Sequence, residues 1–153
     1  MANYYGQFRS NYFKVKDAEA FLTWAARIDV TVHEGCKAER EGTFGVFTSE
    51  NSESGSVPCY ESLDCDAEEK PEGWTDEEFA EEMREFDFLE ELATHLAPGE
   101  VAIVMETGAE KLRYLNGWAG AINSEGERID INLSDIYKKA KKKFGVEPSK
   151  AEY

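Results

Sequence analysis

Apolar and aromatic positions fall into short blocks separated by Gly, Pro, Asn and Asp, and the spacing inside each block predicts its element. Val101-Ala-Ile-Val-Met-Glu106 is a nearly continuous apolar run, which predicts a strand buried on both faces. Thr107-Gly108-Ala109 offers a turn, and Lys111 to Trp118 mixes Leu112, Tyr114 and Trp118 with polar neighbours, as in a strand with one wet face. Gly117 and Gly120 flank Trp118-Ala119, marking a bulge or a close backbone approach. After the turn signal Asn123-Ser-Glu-Gly126, Arg128 to Leu133 alternates strictly and puts Ile129, Ile131 and Leu133 on one face. The three strands form a meander. Ser134 and Asp135 then suit a helix N-terminus, Ile136, Ala140 and Phe144 trace a narrow apolar stripe against the sheet, and Gly145 with Pro148 ends the helix.

The first half reads as βαββ. Gln7 to Val15 predicts a central strand with Phe13 and Val15 on one face and Phe8 and Tyr12 on the other. Asp17 caps a helix carrying Phe21, Trp24, Ala25 and Ile28, and strands follow at Val30 to His33 and Thr43 to Thr48. Residues 49–73, rich in Ser, Gly, Pro, Asp and Glu, predict an acidic surface loop with a short strand at Val57 to Tyr60. Thr75-Asp-Glu-Glu78 is a capping box, and Trp74 with Phe79 has the spacing of a hydrophobic staple. From there Phe79, Met83, Phe86, Leu89, Ala93 and Leu96 trace one helix, with a bend at Phe86 to Phe88 and a stop at Pro98-Gly99. The order βαββ-loop-αβ, then a hairpin and a helix, predicts an α+β fold. Its core would be a ferredoxin-like split βαβ unit, extended by the C-terminal β-hairpin and helix.

At 153 residues the chain predicts one domain, 1–153, large enough to bury a core. With 41% hydrophobic residues it is globular rather than disordered. No charged-then-apolar leader opens the chain and no apolar run approaches the ~20 residues of a spanning helix. These features predict a cytoplasmic protein with reduced cysteines. The net charge of -15 is unevenly placed: residues 134–145 carry +4, leaving -19 elsewhere. Such a surface repels nucleic acid and acidic membranes and is drawn to basic grooves, so the expected partner is a protein that itself binds DNA.

Between Glu61 and Glu91 stand fifteen carboxylates against Lys70 and Arg84. On a continuous helix Glu77, Glu78, Glu81, Glu82 and Glu85 would share one side, with Asp64, Asp66, Glu68 and Glu69 as an adjacent skirt. Five carboxylates over ~12 Å of helix approach the phosphate spacing of ~3.4 Å along a DNA strand, so a DNA-binding groove could accept them in place of its ligand. Against this stands the ordinary reading of an acid-rich helix as a solvated surface. His33, Cys36, Cys59 and Cys65 have the spacing of no familiar zinc module. A buried Cys36 with ordinary loop thiols at Cys59 and Cys65 is the simpler account, the sequence leaving open whether those two pair under oxidation, and no metal or cofactor is expected. Trp118 reads as core packing or a flat recognition surface. Lys138, Lys139 and Lys142, with their lysine neighbours, read as a solvated helix face or a patch for an acidic partner. His95 reads as a helix-end cation, and no P-loop, dinucleotide fingerprint, H-E-x-x-H or G-x-S-x-G is present.

Tyr4-Tyr-Gly-Gln-Phe-Arg-Ser-Asn-Tyr-Phe-Lys-Val-Lys-Asp17 and Glu110-Lys-Leu-Arg-Tyr-Leu-Asn-Gly-Trp118 together cover under a fifth of the chain. In these two blocks it resembles small acidic proteins encoded on plasmids and phages. The resemblance supplies no active site. It implies a mobile-element setting, where acidic inhibitors of restriction or CRISPR enzymes occur. The expectation is therefore an acidic binding protein, a DNA mimic that blocks a host defence enzyme. The alternative is a self-assembling interaction module in which a lysine-rich helix meets an acidic helix of another copy. A small enzyme ranks third.

Overall fold

A computed structural model of the protein describes residues 4–62, 83–110 and 114–150. It is a mixed α+β fold. The described elements are β1 (Tyr4–Ser10), α1 (Ala18–Arg27), β2 (Thr31–Glu34), a 3₁₀ turn at Ala38–Arg40, and β3 (Phe44–Phe47). They continue with β4 (Tyr60–Ser62), β5 (Met83–Glu85), α2 (Phe88–His95), β6 (Val101–Glu110), β7 (Tyr114–Asn123), β8 (Arg128–Asn132) and α3 (Asp135–Phe144). Six strands form one antiparallel sheet in the order β2-β3-β1-β6-β7-β8, and β4 pairs β5 in a separate hairpin. Because β3 lies between β1 and β2, which α1 connects, and β6 lies on the other side of β1, the order is compatible with the expected split βαβ core. The β7–β8 hairpin extends that sheet by two strands.

Helices α1 and α2 cover one face of the sheet. Asp17 caps α1 by accepting from the Ala20 amide, and Asp87 caps α2 by accepting from the Glu90 amide. Where α1 ends, Asp29 takes a left-handed φ of 54° while Asp29 and Val30 donate to Ala26 and Ala25. This is the geometry of a Schellman stop with Asp at the position glycine usually holds. Beneath the helices, Phe13, Phe21, Leu92, Val46, Ala102 and Val104 are fully buried, and Phe21 makes ring contacts to Phe13, Trp24 and Phe44.

Several expected boundaries shift for identifiable reasons. β1 ends at Ser10 rather than Val15, because the Asn11 side chain replaces a backbone pair: its amide donates to the Val101 carbonyl at 3.0 Å and its oxygen accepts from the Ile103 amide at 2.7 Å. The alternation slips there, so Phe8 and Phe13 both reach the core. Thr107 to Ala109 is not a turn; β6 runs through it, paired with β1 and β7. Gly117 and Gly120 lie in a regular ladder with no bulge and instead allow close approach, of Leu133 to Gly117 and of Leu89 to Gly120. The short strand near residue 57 begins at Tyr60.

Two larger corrections follow from what covers the sheet. The 101–106 run and β1 are buried on one face only: Ala102 and Val104 are buried, while Val101, Ile103 and Met105 are 40–49% exposed. The α3 stripe does not pack on the sheet, since Ile136 and Phe144 are 61% and 71% exposed and α3 has no buried residue. Its end matches expectation, with Gly145 at a left-handed φ of 72° and its amide donating to Lys141.

Candidate functional site

The acidic segment forms the crossover from β3 to β6. Residues 48–99 hold seventeen carboxylates against Lys70 and Arg84, a net of -15 that equals the charge of the whole chain, so the rest of the protein is neutral. The crossover holds the densest charge of the chain, and the structure describes how its two ends are fastened.

An ion chain ties both ends to the helices. Glu61 on β4, almost fully buried, accepts from Arg27 of α1 at 2.9 Å and from Arg84 of β5 at 2.6 Å. Arg84 also reaches Glu91 of α2 at 2.6 Å, lies over the Phe86 ring, and is held firmly protonated by its hydrogen bonds to Glu91 and Glu61. Glu91 in turn accepts from the Trp24 indole at 2.8 Å. Burial alone would raise the Glu91 pKa, but Arg84 and Trp24 outweigh it and hold the carboxyl below its ordinary value. A second clamp joins α2 to β8. Arg128 bridges Asp87 and Asp130 at 2.6 Å each, and Asp130 accepts from the Trp118 indole at 3.0 Å. Asp130 is lowered chiefly by Arg128; Asp87 is lowered by the Glu90 amide and Arg128 against a burial effect of opposite sign. A third point holds the loop before β4. Glu106 accepts from the Val57 amide and from the Tyr4 hydroxyl, and burial with that hydrogen bond pushes the Tyr4 pKa up to about 12.

The expected mimic face needs correction. Met83–Glu85 is a strand paired with β4, and α2 begins at Phe88 under its own Asp87 cap, so no single helix runs from Thr75 to Leu96. Pairing with β4 at Tyr60 takes Glu85 out of any helical face; it is exposed on β5. Glu77, Glu78, Glu81 and Glu82, the capping box and staple, and Asp64, Asp66, Glu68, Glu69 and Cys65 lie outside the described residues.

The remaining candidates separate. Trp118 packs against the core on the helix-covered face, fixed by Asp130. Lys138, Lys139 and Lys142 are exposed on α3. Cys36 is exposed, not buried, as is Cys59, whose thiol is pushed up by burial and by Glu85. His95 is the last residue of α2, as expected of a helix-end residue, but it stacks on Trp24 at 4.9 Å, and burial followed by Lys16 lowers its pKa, favouring the neutral ring over a cation. Among the described residues, no group of three or more His, Cys, Asp and Glu side chains is placed to hold a metal ion, and no helix is long and apolar enough to cross a membrane.

The buried Glu61 and its two arginines were not singled out from sequence. The signal available was the isolated Arg84 in a run of carboxylates, a cation with many partners to choose from. No family model matches the chain, and neither curated proteins nor solved structures give a match to it.

Proposed function

We propose that the protein acts by binding, as a DNA mimic that occupies the basic nucleic-acid groove of a host defence enzyme of the restriction or CRISPR type, in the setting of a mobile element. The observation that carries this reading is the segregation of charge: one crossover holds the full -15 and the rest of the chain sums to zero. A chain that only needed solubility would gain as much from carboxylates spread over its surface. Concentrating them raises mutual repulsion, and the Glu61 and Arg128 clamps supply compensating attachments at the crossover's ends.

Glu77, Glu78, Glu81, Glu82 and Glu85 provide the central carboxylates, with Asp64, Asp66, Glu68 and Glu69 beside them. Direct nucleic-acid binding by this segment is electrostatically opposed. The partner is a basic protein, and its binding weakens steeply as salt rises.

The test is capture of DNA-binding proteins from bacterial lysate at low salt, beside a variant with Glu77, Glu78, Glu81, Glu82 and Glu85 changed to Gln. The expected partner is a nuclease or other DNA-binding protein held by wild type only and released by duplex DNA. Capture that survives the five substitutions, or that duplex DNA does not reverse, sinks the reading.

A further inference from the structure

Among the described residues no helix lies over the face of the sheet opposite α1 and α2; its strand positions carry no carboxylate, and at its β3 end Tyr12 packs on Phe47 with Arg40 over the Tyr12 ring. Register lines its rows up: Thr31, Phe47, Arg9, Met105, Ala119 and Ile131 cross the sheet in one, and Ile103, Ala121 and Ile129 form part of the next. Ionisable side chains on it are confined to the β1–β2 half, as Arg9 and His33. On the β6–β8 half the surface is aliphatic. Ile103, Met105, Leu115, Ile129, Ile131 and Leu133 are 40%, 49%, 64%, 73%, 54% and 57% exposed.

We infer that this face is covered by a second copy of the chain, the two sheets packing face to face in a symmetric dimer. Two observations select that occupant. The first is area. The exposed fractions of these side chains and Val101 correspond to roughly 600–700 Å² of surface per copy, above the roughly 300–600 Å² of the largest patch on an ordinary monomer and within what each partner contributes to a stable interface.

The second is charge. Two chains of -15 repel, so self-association needs a face from which carboxylates are absent. At its strand positions only the open face of the sheet meets that condition: the other carries Glu106 and Asp130 in its strands and the clamped ends of the crossover at Glu61 and Asp87 above them. Glu50 and Glu53 reach the open face at its rim, beside Tyr5, Gln7 and Leu115 and away from Ile129 and Ile131. Face-to-face packing at the usual ~10 Å between sheets puts those clamped ends on the two outer sides of the dimer, away from the seam. A symmetric interface also asks for a self-complementary surface, and an aliphatic face meets itself without leaving a charge unpaired.

Sedimentation velocity on the full chain at low and high salt tests this. Wild type should be a dimer at both, held as well or better at high salt, where repulsion is screened. Ile129→Lys with Ile131→Lys sets four like charges into the seam and should raise the dissociation constant about a hundred-fold or more. Both positions are exposed, so the variant's circular dichroism and melting in the monomer range should stay close to those of wild type. Leu115→Lys, on the neighbouring strand, should weaken the dimer independently of β8. A monomeric wild type overturns the inference, whether α3 of the same chain or an unrelated protein covers the face. So does a dimer that dissolves at high salt, which would mean lysine helix on acidic crossover, and so does one that all three lysine substitutions leave intact.

Discussion

The two faces of the six-stranded sheet are built from the same strands and meet opposite fates. On β6, Ala102 and Val104 are fully buried under the helices while their neighbours Ile103 and Met105 are 40% and 49% exposed. The helix-covered face combines an aromatic core with buried and half-buried charges, each matched: Glu61 to Arg27 and Arg84, Glu91 to Arg84 and Trp24, Asp130 to Arg128 and Trp118. The strand positions of the open face carry no carboxylate, and its Arg9 lies over the Phe47 ring. Apolar character on the first face is explained by what the chain folds over it. On the second, no helix among the described residues supplies a cover. The difference separates residues that make the fold from residues kept apolar for something outside it.

Truncation should expose that difference most strongly. Phe21→Ala removes a side chain at 0% exposure that touches Phe13, Trp24, Phe44 and His95. By transfer and cavity terms it should cost about 3–5 kcal/mol in urea denaturation. Ile131→Ala, measured dilute enough for the chain to be monomeric, should stay within about 0.5 kcal/mol, as for a surface site. A comparable loss at Ile131 would mean that its face is covered within one chain.

The two glycines around Trp118 give a finer test, because they point to opposite faces. A Cβ on Gly120 would lie 2.5 Å from Leu89 Cδ1 and 2.6 Å from the Trp118 ring, both held by the core. Gly120→Ala should cost about 1–3 kcal/mol through overpacking. A Cβ on Gly117 would lie 2.8 Å from Leu133 Cγ, but Leu133 is 57% exposed and free to swing outward. Gly117→Ala should be close to neutral in the monomer, helped by the lower entropy of the unfolded chain. Equal losses in thermal melts would erase the distinction between the faces.

The α+β class and the approximate positions of most sheet strands were legible because they rest on alternation and turn residues, which are local. The Asp17 cap, the Gly145 stop and the alternation of Ile129, Ile131 and Leu133 are of this kind. Which face is covered was not legible. An apolar run such as 101–105 reads as two-sided burial whether its second cover comes from the same chain or another. The run from Phe79 to Leu96 misled for a different reason. Helical spacing of apolar residues persists across Met83–Glu85, but Asp87 can cap a new helix, and the Glu61–Arg84 pair joins residues 23 apart in sequence, which no local pattern reports. Within the acidic crossover, charge was visible from composition and the clamps that fasten it were not.

Acid titration should show the smallest effect and again separates the faces. His95 on the helix-covered side has a folded pKa below 6.5, so between that folded value and 6.5 the unfolded chain binds more protons than the folded one. Stability should therefore begin to fall as pH drops below 6.5. Asp87, Glu91 and Asp130 are held below their ordinary values of 3.8, 4.5 and 3.8, so their contribution persists above that range and is lost as pH falls through the folded values. Urea midpoints should decline in two stages, each smaller than the loss at Phe21. His95→Gln should flatten the upper stage and leave the lower one in place. If the upper stage persists in that variant, the proton responsible is not taken up at His95.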